Sequence, residues 1–439
     1  MNIVQITPGA GGMYCGNCFR DNALVAELRK MGHATLLVPL YLPLRLDETD
    51  QSAGTPIFFS GVNVYLDQKS AFFRKAPAWL HRWLASPRLL RWVAGKAAKT
   101  RAQDVGELTV SMLRGEEGNQ ARELDDLTAW LKTQARPDVV CLSNALLLGF
   151  VRQLKKDLGV PVVCLLQGED SFLDALSSPH RESAWATLAE RAADADLFIA
   201  PSRYFGNLMR WRLGLSEERV RILYNGVNLD GYTPASSAPD PPVLGYFARM
   251  CREKGLDTLV DAFIRLKQRN RIKHLKLRVG GGCGPSDAKF VDSLRVRLSD
   301  HGLLNDVEFH PNLDRSKKQD FLRSLSVFSV PALYGEAFGL YLVEAWATGV
   351  PVVQPRHAAF PELIEATGGG LLCEAGSPEA LAESIEQVLS DPAKCRALGE
   401  AGRNAALKRF SVQSMAQETV QLFQTLRDRS AVRDHGVIS

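Results

Sequence analysis

At 439 residues the chain is too long for one small core and predicts two domains of roughly 200 residues each. It is 46% hydrophobic and 23% charged, a globular composition without low-complexity tracts. A net charge of +4 is too mild to imply nucleic acid, and no nucleic-acid partner is expected.

The opening Asn2-Ile3-Val4-Gln5-Ile6-Thr7 reads as a strand with no signal pattern ahead of it. A glycine-rich loop, Gly9 to Gly12, follows. Leu24, Val25, Leu28 and Met31 then share a helical face that Gly32 closes. Strand-like runs recur at Ala34–Pro39, Asp138–Leu142, Pro161–Leu166, Leu197–Pro201 and Val220–Leu223. The apolar stretch Val160–Leu166 contains a proline and is far too short to cross a bilayer. Thr233 to Pro242 is too rich in proline for a helix or central strand and reads as a linker. The theme restarts at Val243–Phe247, with a helix from about Leu256 to Gln268 and runs at Leu275–Val279, Val307–His310 and Leu325–Val330. Strands alternating with helices predict parallel sheets covered on both faces. The expected domains are 1–233, a linker at 234–242, a second domain over 243–410, and a final helix in 411–439 that packs back on the first domain.

Eight cysteines, mostly isolated in apolar segments, fit reduced thiols and a cytoplasmic chain. Cys15 and Cys18 make a Cys-x-x-Cys with no second pair at zinc spacing, so they read as small residues of a tight loop. No Gly-Lys-Ser/Thr and no Gly-x-Ser-x-Gly occurs, which excludes a P-loop and a nucleophile elbow. Gly9 and Gly11 begin a dinucleotide fingerprint that fails at Tyr14. Gly11 and Gly12 can still bring backbone N–H groups to an anion.

Two segments of the second half carry chemistry. Arg249 and Lys254 follow Val243–Phe247 in one short loop, and two cations there suit a diphosphate or a solvated basic turn. Glu336 and Glu344 bracket Phe338-Gly339 where a strand passes into a helix. The first-turn N–H groups at Phe338, Gly339 and Leu340 can face a phosphate. Glu344 can accept from a ribose diol, and Glu336 lies where a sugar fits.

These residues resemble the donor domain of glycosyltransferase family 4, a retaining family of GT-B fold. The likeness runs through Arg249, Lys254, Gly280-Gly281-Gly282, Glu336 to Leu340, Glu344-Ala345, Gly349-Val350-Pro351 and Pro361-Glu362. Gly11-Gly12, Gly32-His33 and Asn225-Gly226-Val227 match more loosely. The resemblance implies an α/β architecture of two Rossmann-like doubly wound parallel-sheet domains facing across a cleft. It implies transfer of a sugar, from a UDP-sugar with GDP-mannose and ADP-glucose as alternatives, with Glu336, Lys254 and Arg249 as catalytic residues. Gly11, Gly12, Phe338, Gly339, Leu340 and Glu344 would bind the donor, and no metal or other cofactor is expected. Many members carry a histidine before a glycine at an amino-domain strand end, where this chain has Gln167-Gly168. Gln167 can hydrogen-bond a sugar but cannot relay a proton, and Glu169 or Asp170 is a candidate acceptor contact or part of a solvated turn. His33 is read as structural. A sugar phosphorylase, a nucleotide-sugar epimerase and a nucleotide-sugar-binding protein without transfer activity share these features.

Between Asp67 and Asp104 no acidic residue occurs, while nine cations from Lys69 to Arg101 interleave with Phe72, Phe73, Trp79, Trp83 and Trp92. Three readings of this stretch stay open: a helical insertion packed on the core, peripheral contact with an anionic membrane, or recognition of an anionic acceptor, glycan or lipid-linked.

Overall fold

The computed structural model describes residues 1–9, 16–44, 46, 48–69 and 102–435. Gly11, Gly12 and Cys15, with most of the basic aromatic stretch (70–101), lie outside the described residues. The chain divides into two units, one formed by Met1–Leu223 with the residues from Met415 onward, the other by Tyr224–Ser414. Tyr232 is sunk in the core of the second unit, well ahead of its first strand. The proline-rich 234–242 stretch contains no helix or strand.

Each unit contains one six-stranded sheet, and every strand pair in it is parallel. The first sheet has the order β2-β1-β3-β4-β5-β6, with β1 at Asn2–Thr7, β2 at Ala34–Pro39, β3 at Val139–Leu142, β4 at Val162–Leu165, β5 at Leu197–Ala200 and β6 at Val220–Ile222. The second has the order β12-β11-β10-β7-β8-β9, with β7 at Val243–Phe247, β8 at Lys276–Gly281, β9 at Val307–Pro311, β10 at Val327–Phe328, β11 at Val352–Pro355 and β12 at Gly370–Cys373. Both units are Rossmann-like. β3, β4, β5 and β11 are buried along their whole length, which is why their sequences are near-continuous apolar runs. The covering helices follow the 3.6 period. In Leu256–Arg269, Leu256, Leu259, Val260, Phe263 and Leu266 are buried, and Asn270 at φ 51° ends the helix. The apolar run Leu325–Val330 shortens to a two-residue strand, because its ladder with β7 spans only Val327 and Phe328.

In an open parallel sheet the ligand crevice lies beyond the carboxyl ends of the strands, where the strand order reverses. The second sheet reverses between β7 and β10, so the loops after these two strands flank the crevice. They are tied directly: the Leu333 amide donates to the Glu253 carbonyl at 3.0 Å. Gly255 permits that approach, since it sits at φ +71° and a β-carbon there would run into the Pro331 carbonyl. The loops after β7 and β8 are joined in the same way, with the Met250 amide donating to the Gly282 carbonyl at 2.8 Å. Among the described residues no helix is long and apolar enough to cross a membrane.

Gly255→Ala is therefore expected to lower the stability of the second unit by about 3 kcal/mol, combining left-handed strain with a backbone clash. Urea unfolding followed by tryptophan fluorescence checks this; an unchanged midpoint would show that the two loops separate freely.

Candidate functional site

The centre of the second unit's crevice is an ion pair. Lys254, from the loop after β7, places Nζ 2.5 Å from Glu336 Oε2, from the segment after β10. The side chains are only 20% and 13% exposed. Two tyrosines complete the arrangement. The hydroxyls of Tyr334 and Tyr341 donate to the same Glu336 Oε2 at 2.9 and 2.8 Å. Lys254 Nζ also bonds the Tyr334 hydroxyl and lies 4.8 and 5.3 Å from the centroids of the Tyr334 and Tyr341 rings. Burial pushes the Glu336 carboxyl up, but the Lys254 charge and the three hydrogen bonds outweigh it and hold it below the ordinary carboxylate range. Burial and the Glu336 charge push both phenols well up, so they remain donors at any working pH.

Beside this pair begins the helix Leu340–Ala347, capped by Gly339. Its first-turn amides point back toward the loop and give an anion a partial positive charge to meet. The Phe338 side chain is buried, packed 5.8 Å from Phe410 and 6.2 Å from Tyr224 between ring centroids, so only its backbone is offered to a ligand. One turn on, Glu344 Oε1 accepts from Lys318 Nζ at 2.7 Å and from the Tyr232 hydroxyl at 2.9 Å. Lys318 comes from the helix Arg315–Arg323, which follows β9.

Arg249 opens the same β7 loop as Lys254 but holds a different carboxylate. Its guanidinium meets Asp287, from the segment after β8, with contacts of 2.8 to 3.2 Å. Asp287 is 8% exposed and Arg249 60%, so the carboxylate is fixed and the cation reaches outward. Of the four residues expected together, Lys254 and Glu336 are in direct contact, while Arg249 and Glu344 each hold a partner of their own. The sequence reading missed Tyr334, Tyr341, Tyr232, Asp287 and Lys318. Tyr334 and Tyr341 stand two residues before and five after Glu336, a spacing that could have flagged them; the others arrive from distant segments.

In the first unit, Gln167 and Gly168 lead from β4 into the short helix Glu169–Asp174. Glu169 is 4% exposed, and its two oxygens accept the amides of Ala145 and Gln167, each at 2.8 Å. It staples the loop after β3 to the loop after β4. Asp170 is more open, and burial raises its carboxyl above the usual range. His33 Nδ1 accepts from the amino-terminal ammonium at 3.1 Å. Arg20 and Asp21, on the helix Gly16–Lys30, form a buried ion pair at 2.5 Å, and Arg20 also donates to the Ser143 carbonyl at the end of β3. Among the described residues no group of three His, Cys, Asp or Glu side chains gathers as a metal site.

Removing Lys254 as Lys254→Met strands a largely buried carboxylate, with an expected loss of about 3 kcal/mol. Because the folded Glu336 carboxyl is depressed, its contribution is present above the unfolded value and lost as pH falls through the folded one. In Lys254→Met the folded value rises while the unfolded one is unchanged, so that acid loss should shrink, or turn into a gain where burial lifts the folded value above the unfolded one. Urea midpoints measured across the acid range decide it, and superimposable pH curves would mean that Lys254 does not hold the charge on Glu336.

The family model for Glycosyltransferase Family 4 matches residues 93–230, and that for Glycosyl transferases group 1 matches residues 234–405. An alpha-maltose-1-phosphate synthase of Mycolicibacterium smegmatis is 27% identical over 272 residues, 57% of this chain and 68% of its own length. A D-inositol 3-phosphate glycosyltransferase of Xylanimonas cellulosilytica is 27% identical over 256 residues, 55% of this chain and 60% of that protein, so the match spans less than two thirds of it. The structure of Anabaena HepE in complex with UDP aligns with a TM-score of 0.69 at 17% identity, covering 97% of this chain and 100% of that one, which establishes the GT-B fold. With two parallel-sheet units, the carboxylates and cations of the second sheet's crevice, and both family models in tandem, the chain belongs to the glycosyltransferases of family 4.

Proposed function

We propose that the second unit binds a nucleotide-sugar donor, a UDP-sugar, and that the chain transfers the sugar to a glycan or lipid-linked acceptor with retention at the anomeric carbon and without a metal ion. The observation that carries this reading is the Lys254–Glu336 pair, braced by two tyrosines, where the second sheet reverses its strand order. As the glycosidic bond breaks, negative charge grows on the leaving diphosphate and positive charge on the sugar ring. Arg249, Lys254 and the amides of Phe338 to Leu340 stabilise the first, and the Glu336 carboxylate lies close to the second. The leaving phosphate oxygen takes the proton of the acceptor hydroxyl. Glu344 serves the ribose, with Lys318 and Tyr232 both on Oε1. Gln167 and Asp170 are assigned to sugar and acceptor contacts. The UDP bound by HepE supports uridine as the base.

A thermal-shift panel of UDP-, GDP- and ADP-sugars tests the donor, since a ligand of the folded state raises apparent stability by mass action. The UDP-sugars should give the largest shift. Glu336→Ala should abolish transfer, whereas Glu344→Gln should raise the donor KM roughly tenfold with kcat little changed. Normal turnover by Glu336→Ala would remove the assignment. Product stereochemistry read by NMR tests retention. The proposal extends to peripheral contact of the 69–101 stretch with an anionic membrane: at low salt, vesicles of anionic lipid should sediment the protein, and its staying in the supernatant would remove that contact.

A further inference from the structure

Three donors converge on one oxygen of Glu336. Lys254 Nζ and the hydroxyls of Tyr334 and Tyr341 all bond Oε2. A carboxylate has two chemically equivalent oxygens with about four lone-pair sites between them. Spread evenly, three donors would occupy both. Here they saturate one. The tyrosines are held for this purpose from separate places. Tyr341 stands in the first turn of the Leu340–Ala347 helix with its ring 6.2 Å from that of Phe328, the last residue of β10. Tyr334 lies in the preceding loop, where the Glu336 amide donates to its carbonyl at 2.9 Å. Each tyrosine meets the anion with its hydroxyl and the Lys254 cation with its ring.

We infer that Tyr334 and Tyr341 are positioning residues for Glu336: they fill Oε2 and so leave Oε1 as the one acceptor for a donor-sugar hydroxyl. This rests on the sugar-transfer reading above. It also explains what keeps Glu336 in place when a diphosphate draws on the Lys254 charge, because the two hydroxyls stay. Among the described residues, Tyr246 on β7, whose phenol burial pushes well up, and Cys251 in the β7 loop, whose thiol burial pushes up to about 11, also belong to this cluster, with the charges of Asp257 and Asp287 acting on Tyr246. The phenol and the thiol remain neutral through the acid range.

The test uses the full chain with Tyr334→Phe, Tyr341→Phe, the double variant and Glu336→Gln. Phenylalanine keeps each ring and its packing while deleting one donor. First, urea midpoints of the ligand-free proteins are followed against pH. Losing a donor raises the folded Glu336 value toward the unfolded one, so the acid loss of stability should be smaller and end at higher pH in each tyrosine variant, and smaller again in the double one. In a Glu336→Gln background the same substitutions should have no such effect. Second, turnover is measured with UDP-glucose as the probe. kcat should fall roughly tenfold to a hundredfold per tyrosine, with KM within about twofold and the acid limb of the pH profile moved upward. Acid curves that coincide with the wild type, or a kcat loss uniform in pH, would overturn the inference. A shifted unfolding curve in a protein whose wild type turns over no nucleotide sugar would uphold the clamp and sink the transfer reading instead.

Discussion

The Lys254–Glu336 contact is the constraint on which the second unit's crevice depends. Either charge alone, largely withdrawn from water, would cost several kcal/mol, and their attraction offsets this only because the geometry is close and other donors join in. The pair therefore works as a positional lock. It forces the loop after β7 and the segment after β10 to meet, and these are the two loops that the strand order sets side by side. The Leu333–Glu253 backbone bond and the tight passage at Gly255 enforce the same approach without any charge.

The pattern repeats around the crevice. Glu344 is matched by Lys318 and Asp287 by Arg249. Each pair joins segments that follow different strands, so the electrostatics and the sheet topology specify one another. In these pairs each cation is already oriented by a carboxylate, so an anion in the crevice would find charges that need little reorganisation. Arg249, more exposed than its partner, is the cation most available to move.

The parallel sheets were legible in the sequence because buried strands are apolar runs and their covering helices keep the 3.6 period. Glu336, Glu344, Arg249 and Lys254 stood out because they cluster at strand ends, and strand ends are visible locally. The pairing of those residues was not. Asp287 lies 38 residues from Arg249, and Lys318 lies 26 from Glu344, so nothing in a local window links them. Glu169 was visible only as a carboxylate after a strand and a glycine; folding buries it against two amides that no pattern announces. The strand at Leu325–Val330 was overextended because hydrophobicity reports burial and not the length of a ladder.

The first unit is discontinuous: the second unit, from Tyr224 to Ser414, interrupts it, and the chain from Met415 onward returns to it. During synthesis the contiguous unit is complete before that returning helix exists. The apolar residues Met415, Val420 and Phe423, all buried in the finished protein, are thus the last to find their place. Until they do, the surface they cover stays wet. The crevice of the second unit therefore has the Lys254–Glu336, Lys318–Glu344 and Arg249–Asp287 pairs on the ribosome's product before the first unit is sealed, which sets an order of maturation by chain connectivity alone.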